Sequence, residues 1–195
     1  MTQKIFIIDT ETGGFEPERN SILSLGGVVW EDGRILGEID FLIAEDTLDV
    51  EPEAMAVNKL PLDEVRRHGL SPVTAVATLE TFLDRHFDPA QKIALAGHNI
   101  GFDVGFLKRL YSLAGADFQT RYSHRLLDTA SVMRFLSMAG RLPFDDPSLD
   151  AGLLHFGIDV PLLERHTALA DARATAQLLG RLIDLMKPSN GSASG

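Results

Sequence analysis

Apolar residues fall into short runs separated by charged residues and glycines, a pattern that predicts an α/β domain. Short apolar runs bounded in this way are typical of buried strands, and five occur, at residues 5–8, 22–30, 35–43, 93–96 and 125–127. An Asp32-Gly33 pair between the second and third runs is a tight-turn signal. The first three strands are therefore expected to form an antiparallel meander.

Helical periodicity and helix-start residues predict the rest of the secondary structure. Prolines or N-capping residues followed by apolar residues at helical spacing mark helices at residues 52–59, 61–68, 72–86, 102–113, 129–138, 148–156 and 167–186. No internal repeat or linker interrupts this series. The sequence therefore predicts one domain over residues 1–187, and the Ser/Gly-rich residues 188–195 are expected to form a flexible polar tail.

The amino-acid composition limits which classes of function are possible for this chain. The chain has 195 residues, no cysteine and a net charge of −10, so disulfides and thiolate zinc sites are excluded. An acidic protein binds polyphosphate poorly unless its acids converge on metal ions, because bound dications reverse the local charge. The N-terminus lacks signal-peptide features and no apolar run reaches the length of a membrane span, so a cytoplasmic protein without membrane contact is expected.

Two acids, Asp9 and Glu11, follow the first apolar run with one residue between them. Side chains alternate across a strand, so both carboxylates are expected on the same side. Adjacent carboxylates raise each other's pKa unless a cation lies between them, and Mg²⁺ and Mn²⁺ prefer oxygen ligands. The pair indicates either a divalent metal site or a polar strand end in which Asp9 caps the following turn.

A third acid, Asp103, follows the fourth strand in the stretch 97–103, at the start of a helix. A negative side chain is also favoured there as a helix N-cap. The neighbouring His98 and Asn99 have the simple alternative of turn residues that satisfy local backbone groups.

A fourth acid, Asp171, lies near the start of the last predicted helix, and His166 precedes that helix. Small residues at 168, 170, 172 and 174 predict that the helix packs closely on the sheet. A histidine titrates near neutral pH, so His166 could accept a proton from a water at the acids. The alternative is that His166 merely precedes a helix and Asp171 faces solvent.

Together these residues form three motifs: Asp9-x-Glu11, His98-Asn99-x-x-Phe102-Asp103 and His166-x-x-x-x-Asp171. Their order and spacing resemble the DEDDh, or DnaQ-like, 3′–5′ exonuclease family, and the resemblance covers roughly residues 4–180. It implies a ribonuclease H-like fold, with a five-stranded mixed sheet of three antiparallel and two parallel strands flanked by helices.

The resemblance also implies a catalytic set. Asp9, Glu11, Asp103 and Asp171 would hold two Mg²⁺ or Mn²⁺ ions, and His166 would be the general base. The implied reaction is phosphodiester hydrolysis at the 3′ end of single-stranded DNA or RNA, with release of nucleoside 5′-monophosphates.

Two stretches, 9–15 and 52–58, resemble the ribonuclease T branch of this family, in which aromatic residues and a glutamate contact the terminal bases. Phe15 and Glu53 match that pattern, whereas Val57 departs from it because that branch carries an aromatic residue there. Phe15 has the equal alternative of a core residue behind the Gly pair, and Met55 and Val57 are expected to pack in the core. The predicted substrate contacts are Thr10, Thr12, Gly13, Phe15, Glu53, His98, Asn99 and Phe102.

Two other functions stay open at this point. The chain could be a proofreading-type subunit or adaptor that docks on a polymerase or repair complex, or a catalytically dead scaffold, against which the complete catalytic set argues. The resemblance implies either a homodimer, as in the ribonuclease T branch, or a polymerase partner. Basic residues such as Lys108, Arg109, Arg121 and Arg125 are expected near the parallel strands without forming a stripe, and Asp128 is expected to cap a helix.

Overall fold

A single five-stranded sheet runs through the centre of the protein. The computed structural model describes residues 3–160 and 167–187. The strands are β1 (Ile5–Thr12), β2 (Ile22–Glu31), β3 (Arg34–Leu42), β4 (Ile93–Gly97) and β5 (Tyr122–Asp128), in the order β3-β2-β1-β4-β5. β1, β2 and β3 are antiparallel, and β4 and β5 are parallel to β1. The predicted mixed sheet is confirmed.

The described helices flank this sheet on both faces. They are α1 (Pro52–Asn58), α2 (Leu62–His68), α3 (Pro72–Asp84), α4 (Gly101–Leu113), α5 (Phe118–Arg121), α6 (Thr129–Met138), α7 (Leu149–Phe156) and α8 (Ala168–Met186). α3 and α4 contribute to the apolar core on one face, and α8 covers the other. Within the described ranges, no helix is both long and apolar enough to cross a bilayer.

Strand β1 is buried on both faces, and its alternation divides the core. Phe6 and Ile8 lie in the cluster with α3 and α4, whereas Ile5 and Ile7 pack against α8. β1 continues beyond its apolar run to Thr12. By the same alternation, Asp9 and Glu11 project toward the α8 side and Thr10 toward the α4 side.

Helix α8 begins almost in contact with the sheet. A Cβ atom on Gly26 of β2 would lie 2.1 Å from the backbone nitrogen of Leu169 and 2.2 Å from the carbonyl carbon of Ala168. Ala168, Ala170, Ala172 and Ala174 are all buried. The predicted close packing of this helix on the sheet is confirmed.

Besides the longer β1, α3 ends at Asp84 instead of residue 86, and two further details differ from the predicted elements. The short helix α5 was not expected, and β5 begins at Tyr122 instead of residue 125. The reason is a buried polar contact, in which the Tyr122 hydroxyl lies 2.8 Å from that of Tyr111, and both rings pack against Phe118. Such a contact between distant residues leaves no periodic signal in the sequence.

Two of the three arginines expected near the parallel strands, Arg109 and Arg121, are held in ion pairs. Arg109 contacts Glu45 at 2.6 Å, and Arg121 contacts Glu80 at 2.8 Å and Asp84 at 2.6 Å. Arg121 is also buried. These two cations are therefore neutralised within the fold and are not positioned as substrate contacts.

Candidate metal centre

Three carboxylates meet where β1 approaches the start of α8. Ligand atoms of Asp9, Glu11 and Asp171 all lie within 4.8 Å of one another, and each residue is half-buried. Thr167 caps α8, since its side chain accepts a hydrogen bond from the Ala170 backbone nitrogen at 3.4 Å, and this places Asp171 in the first helical turn. The alternative of a solvent-facing Asp171 is therefore wrong.

The fourth acid, Asp103, reaches the same region from α4 and is 4 % exposed. Its Oδ1 accepts a hydrogen bond of 2.8 Å from the Thr10 hydroxyl, across the end of β1. The capping position of α4 is occupied by Ile100, which makes no side-chain capping bond. Asp103 therefore faces the strand that carries the acid pair, and Thr10, predicted as a substrate contact, has this acid as its partner.

Burial and mutual repulsion oppose the ionisation of Asp9, Glu11 and Asp103. Burial raises the pKa of Glu11 to about 8, with repulsion from Asp171 and Asp103 as further causes. Burial raises the pKa of Asp9 well above its ordinary value, and Asp103, Asp171 and Glu11 add to the effect. Burial raises the pKa of Asp103 to about 7 against the opposing hydrogen bond from Thr10.

This donor set fits a hard divalent cation. Closely spaced carboxylate oxygens that are costly to ionise alone are the ligands that Mg²⁺ and Mn²⁺ prefer. A bound dication would lower the cost of ionising all of them. The alternative in which Asp9 only caps a turn does not account for three converging acids.

Hydrogen-bonding contacts hold His98 and Asn99 at the turn between β4 and α4. The Thr129 hydroxyl donates to the Gly97 carbonyl at 3.1 Å and lies 3.0 Å from Nδ1 of His98. Asn99 has a φ of 68°, and its backbone N–H donates to Asp128 at 2.8 Å. Asp128 also accepts from the Ala130 backbone at the start of α6, so its predicted capping role is confirmed. The turn interpretation of His98 and Asn99 therefore holds, and their contact with substrate stays a prediction.

Phe15 projects into solvent from the loop that follows β1. It is 71 % exposed, and its ring meets that of Phe102 edge-on, with 6.4 Å between centroids. The alternative of a core residue behind the Gly pair is wrong, because Gly13 and Gly14 are themselves buried in the turn and leave Phe15 outside it. Thr12 is buried, and its hydroxyl donates to the Gly14 carbonyl at 2.8 Å.

Helix α1 presents most of its side chains to solvent. Glu53 is exposed in its first turn. Val57 is 65 % exposed, so the prediction that it packs in the core is wrong, whereas Met55 is half-buried. The helix has only seven residues, and none of its described side chains belongs to the buried apolar clusters.

His166 and residues 188–195 lie outside the described residues. The sequence did not reveal the structural roles of two other residues in the site region, Thr10 and Asn20. Thr10 was interpreted only as a substrate contact, although its position between the two acids already placed it on the opposite face of β1. Asn20 was not singled out, because a buried asparagine in a loop follows no periodicity.

Known proteins resemble this chain in sequence over most of its length. The family model RNase_T, described as an exonuclease, matches residues 6–179. A DNA polymerase III subunit epsilon-like protein of Rhodobacter capsulatus is 32% identical over 185 residues, which are 93% of this chain and 24% of that protein. A PolC-type DNA polymerase III of Thermotoga petrophila is 26% identical over 93% of this chain and 12% of its own length.

Solved structures show the same fold. Escherichia coli exonuclease I in complex with a dT13 oligonucleotide has a TM-score of 0.75 at 19% identity, over 93% of this chain and 43% of the other. Exonuclease I of Methylocaldum szegediense has a TM-score of 0.76 at 22% identity, over 95% of this chain and 41% of the other. The five-stranded mixed sheet flanked by helices is thus a fold that this chain shares with these structures. The chain spans less than a quarter of the length of the two polymerase relatives named above.

Proposed function

Because this chain belongs to the RNase_T, or DnaQ-like, exonuclease family, we propose that it hydrolyses phosphodiester bonds from the 3′ end of single-stranded DNA or RNA. The products would be nucleoside 5′-monophosphates. The observation that carries the proposal is the convergence of Asp9, Glu11 and Asp171 within 4.8 Å. Asp103 lies buried behind this group and is hydrogen-bonded to Thr10.

The four acids would hold two Mg²⁺ or Mn²⁺ ions. When bound, such ions supply Lewis-acid stabilisation for the attacking and leaving oxygens of an in-line displacement at phosphorus. The carboxylates contribute by remaining ionised around the ions. Their raised pKa values favour protonation without a metal, so activity is expected to require both the ions and a pH high enough to displace those protons.

The remaining steps belong to side chains around the acids. His166 would accept the proton of the attacking water, since its neutral form is available near pH 7. The exposed ring of Phe15 would stack on the terminal base, with Phe102 behind it. Glu53, His98, Asn99, Thr12 and Gly13 are the other proposed contacts, and Thr10 would act through Asp103.

A short single-stranded end suits the charge distribution better than a duplex. The chain carries a net charge of −10, and Arg109 and Arg121 are paired with acids. The remaining affinity would come from the ions and from stacking on a few bases. The dT13 complex of E. coli exonuclease I supports the choice of single-stranded DNA as the first substrate.

The direct test is digestion of 5′-labelled, 3′-hydroxyl DNA and RNA oligonucleotides with Mg²⁺, Mn²⁺ or EDTA. We expect a ladder that shortens from the 3′ end, requires the metal, and is lost in Asp9→Ala and His166→Ala proteins. Lys108→Ala, a change on the exposed surface of α4, serves as a control that keeps the ladder. Failure of a folded protein to cut either polymer would contradict the proposal.

A second candidate is a proofreading-type subunit or adaptor whose main role is docking on a polymerase or repair complex. The names of the relatives, which are DNA polymerase III proteins, favour it. Co-elution with a purified replicative polymerase, with catalysis lost or kept, would support this role. The homodimer implied by the ribonuclease T branch stays a prediction, for which sedimentation velocity of the purified protein is the measurement.

A further inference from the structure

A buried asparagine joins the two segments that carry the proposed base contacts. Asn20 lies at the end of the loop after β1 and is 0 % exposed. Its Oδ1 accepts the backbone N–H of Glu16 at 2.9 Å. Its Nδ2 donates to Glu51 at 3.2 Å and to Asp49 at 3.4 Å. The amide therefore bonds its own loop with one end and the segment before α1 with the other.

The orientation of this amide follows from its partners. A backbone N–H requires an acceptor and two carboxylates require donors, so oxygen must face Glu16 and nitrogen must face the acids. An aspartate has the same shape but no donor, and it would add a third negative charge beside Asp49 and Glu51. Only an amide of this length satisfies both sides.

Backbone bonds show that the two segments meet closely around Asn20. The Gly13 N–H donates to the Ser21 carbonyl at 2.7 Å, and the Glu51 N–H donates to the Gly13 carbonyl at 2.6 Å. A Cβ atom on Gly14 would lie 2.3 Å from the Asn20 amide carbon. The glycine turn before Phe15 therefore rests directly on the amide plane.

We propose that Asn20 is a positioning residue for the terminal base, acting through Phe15. It holds the loop that presents Phe15 against the segment that leads through Glu51 into α1, where Glu53 lies in the first turn. The separation of these two segments sets the width of the site for the terminal nucleotide. The inference rests on the proposed exonuclease function.

The test uses the full chain and fluorescence anisotropy of labelled dT13 with Mg²⁺, in the His166→Ala background so that the oligonucleotide is not consumed. Asn20→Asp keeps the bond to Glu16 and removes both bonds to the acids. We expect its Kd to rise about tenfold, the size of one lost base–aromatic stack. In a Phe15→Ala background, the same change is expected to alter the Kd less than about twofold, because coupled residues are not additive.

A donor–acceptor exchange separates positioning from loss of folding. Glu51→Gln combined with Asn20→Asp restores a donor opposite an acceptor, and we expect the Kd to return to within about twofold of the reference. Glu51→Gln alone keeps an acceptor for Asn20 and serves as the matched control. In protein that is otherwise unchanged, Asn20→Asp is expected to raise KM and to leave kcat constant. The Mg²⁺ concentration that gives half of the maximal rise in melting temperature should also stay constant.

The outcomes distinguish the positioning role of Asn20 from the exonuclease function. Additive effects of Asn20→Asp and Phe15→Ala, or no rescue by Glu51→Gln, would overturn the positioning role while leaving the exonuclease intact. A fall in kcat with unchanged KM would also overturn it. If the His166→Ala protein does not bind dT13 and the unchanged protein does not cut it, the proposed function and this inference are overturned together.

Discussion

At the scale of single residues, the metal centre is a group of acids whose ionisation the fold disfavours. The raised pKa of Glu11, about 8, means that the folded metal-free protein keeps a proton that the unfolded chain releases at lower pH. Stability therefore falls as pH rises between the unfolded and folded pKa values. The pKa values of the Asp9 and Asp103 carboxyl groups are raised as well.

This shift predicts a specific dependence of stability on pH and metal. The melting temperature of EDTA-treated protein should fall by several degrees between about pH 5 and about pH 8, with Glu11 as one cause. Mg²⁺ should raise it more at the higher pH, because the metal competes with protons for the same oxygens. Differential scanning calorimetry measures both. Glu11→Gln should flatten the metal-free curve, and a curve already flat in the unchanged protein would contradict the account.

The hydroxyl of Thr10 is the second residue-scale feature, since it orients Asp103 from the opposite face of β1. Thr10→Val keeps the shape and removes the donor. Loss of such an outer contact is expected to lower Mg²⁺ affinity or activity about 10–100-fold. Titration of the melting temperature with Mg²⁺ provides a readout independent of turnover. Thr10→Ser, which keeps the donor, should retain most of the affinity, and equal losses in both variants would show that the hydroxyl is not the cause.

At the scale of elements, the site depends on how closely α8 approaches β2. Gly26→Ala would place a Cβ atom 2.1 Å from backbone of α8, so the start of that helix must move and carry Asp171 away from Asp9 and Glu11. We expect a stability loss of about 1–3 kcal/mol from overpacking, together with loss of Mg²⁺-induced stabilisation. Chemical denaturation with and without Mg²⁺ measures the two effects.

The same helix offers a matched control for that change. Among the described residues, no atom outside the helix's own backbone lies within 4 Å of a Cβ added at Gly180 of α8. Alanine there should stabilise the helix by about 0.5–1 kcal/mol while the response to Mg²⁺ stays unchanged. If Gly26→Ala and Gly180→Ala respond equally to Mg²⁺, the approach of α8 to β2 does not control the metal centre.

The elements themselves were largely predictable because local signals coincided with tertiary packing. The tight turn at Asp32 and Gly33 has φ angles of 49° and 80°, which an Asp-Gly pair accommodates. β5 was predicted too short because its first residue, Tyr122, is held by a distant hydroxyl rather than by an apolar run. Phe15 and Val57 were ambiguous because their exposure depends on how the loops fold over the sheet.

At the scale of the whole molecule, an acidic chain with its buried arginine already paired should hold nucleic acid with few ionic contacts. We predict a shallow salt dependence, in which the slope of log Kd against log salt for dT13 corresponds to about three released ions or fewer. Anisotropy titrations across a range of KCl concentrations measure the slope. A slope corresponding to about six or more ions would contradict this prediction, because it would require an extended basic surface. EDTA-treated protein provides the metal-free comparison.

The part of the candidate site that lies in short sequence motifs was predictable. Asp9, Glu11 and Asp171 lie at element ends whose positions followed from periodicity, and their convergence within 4.8 Å agrees with the prediction. The bond between Thr10 and Asp103, like the contacts of Asn20, joins residues far apart in the chain. Contacts of that kind depend on the completed tertiary structure, so spacing alone does not reveal them.

Strand β1 places different residues on its two faces, so the protein should not tolerate a one-residue shift in the register of that strand. Odd positions carry Asp9 and Glu11 toward α8, and even positions carry Phe6, Ile8 and Thr10 toward α4. Deleting one residue between positions 5 and 8 would exchange the two sets, because every side chain changes face when the strand slips by one. Carboxylates would then enter the apolar interior on the α4 side, and the Thr10 hydroxyl would take their place beside Asp171. Shortening this strand by a single residue should therefore abolish folding and metal binding in one step, whereas loops elsewhere in the chain can change length without reversing any face of the sheet.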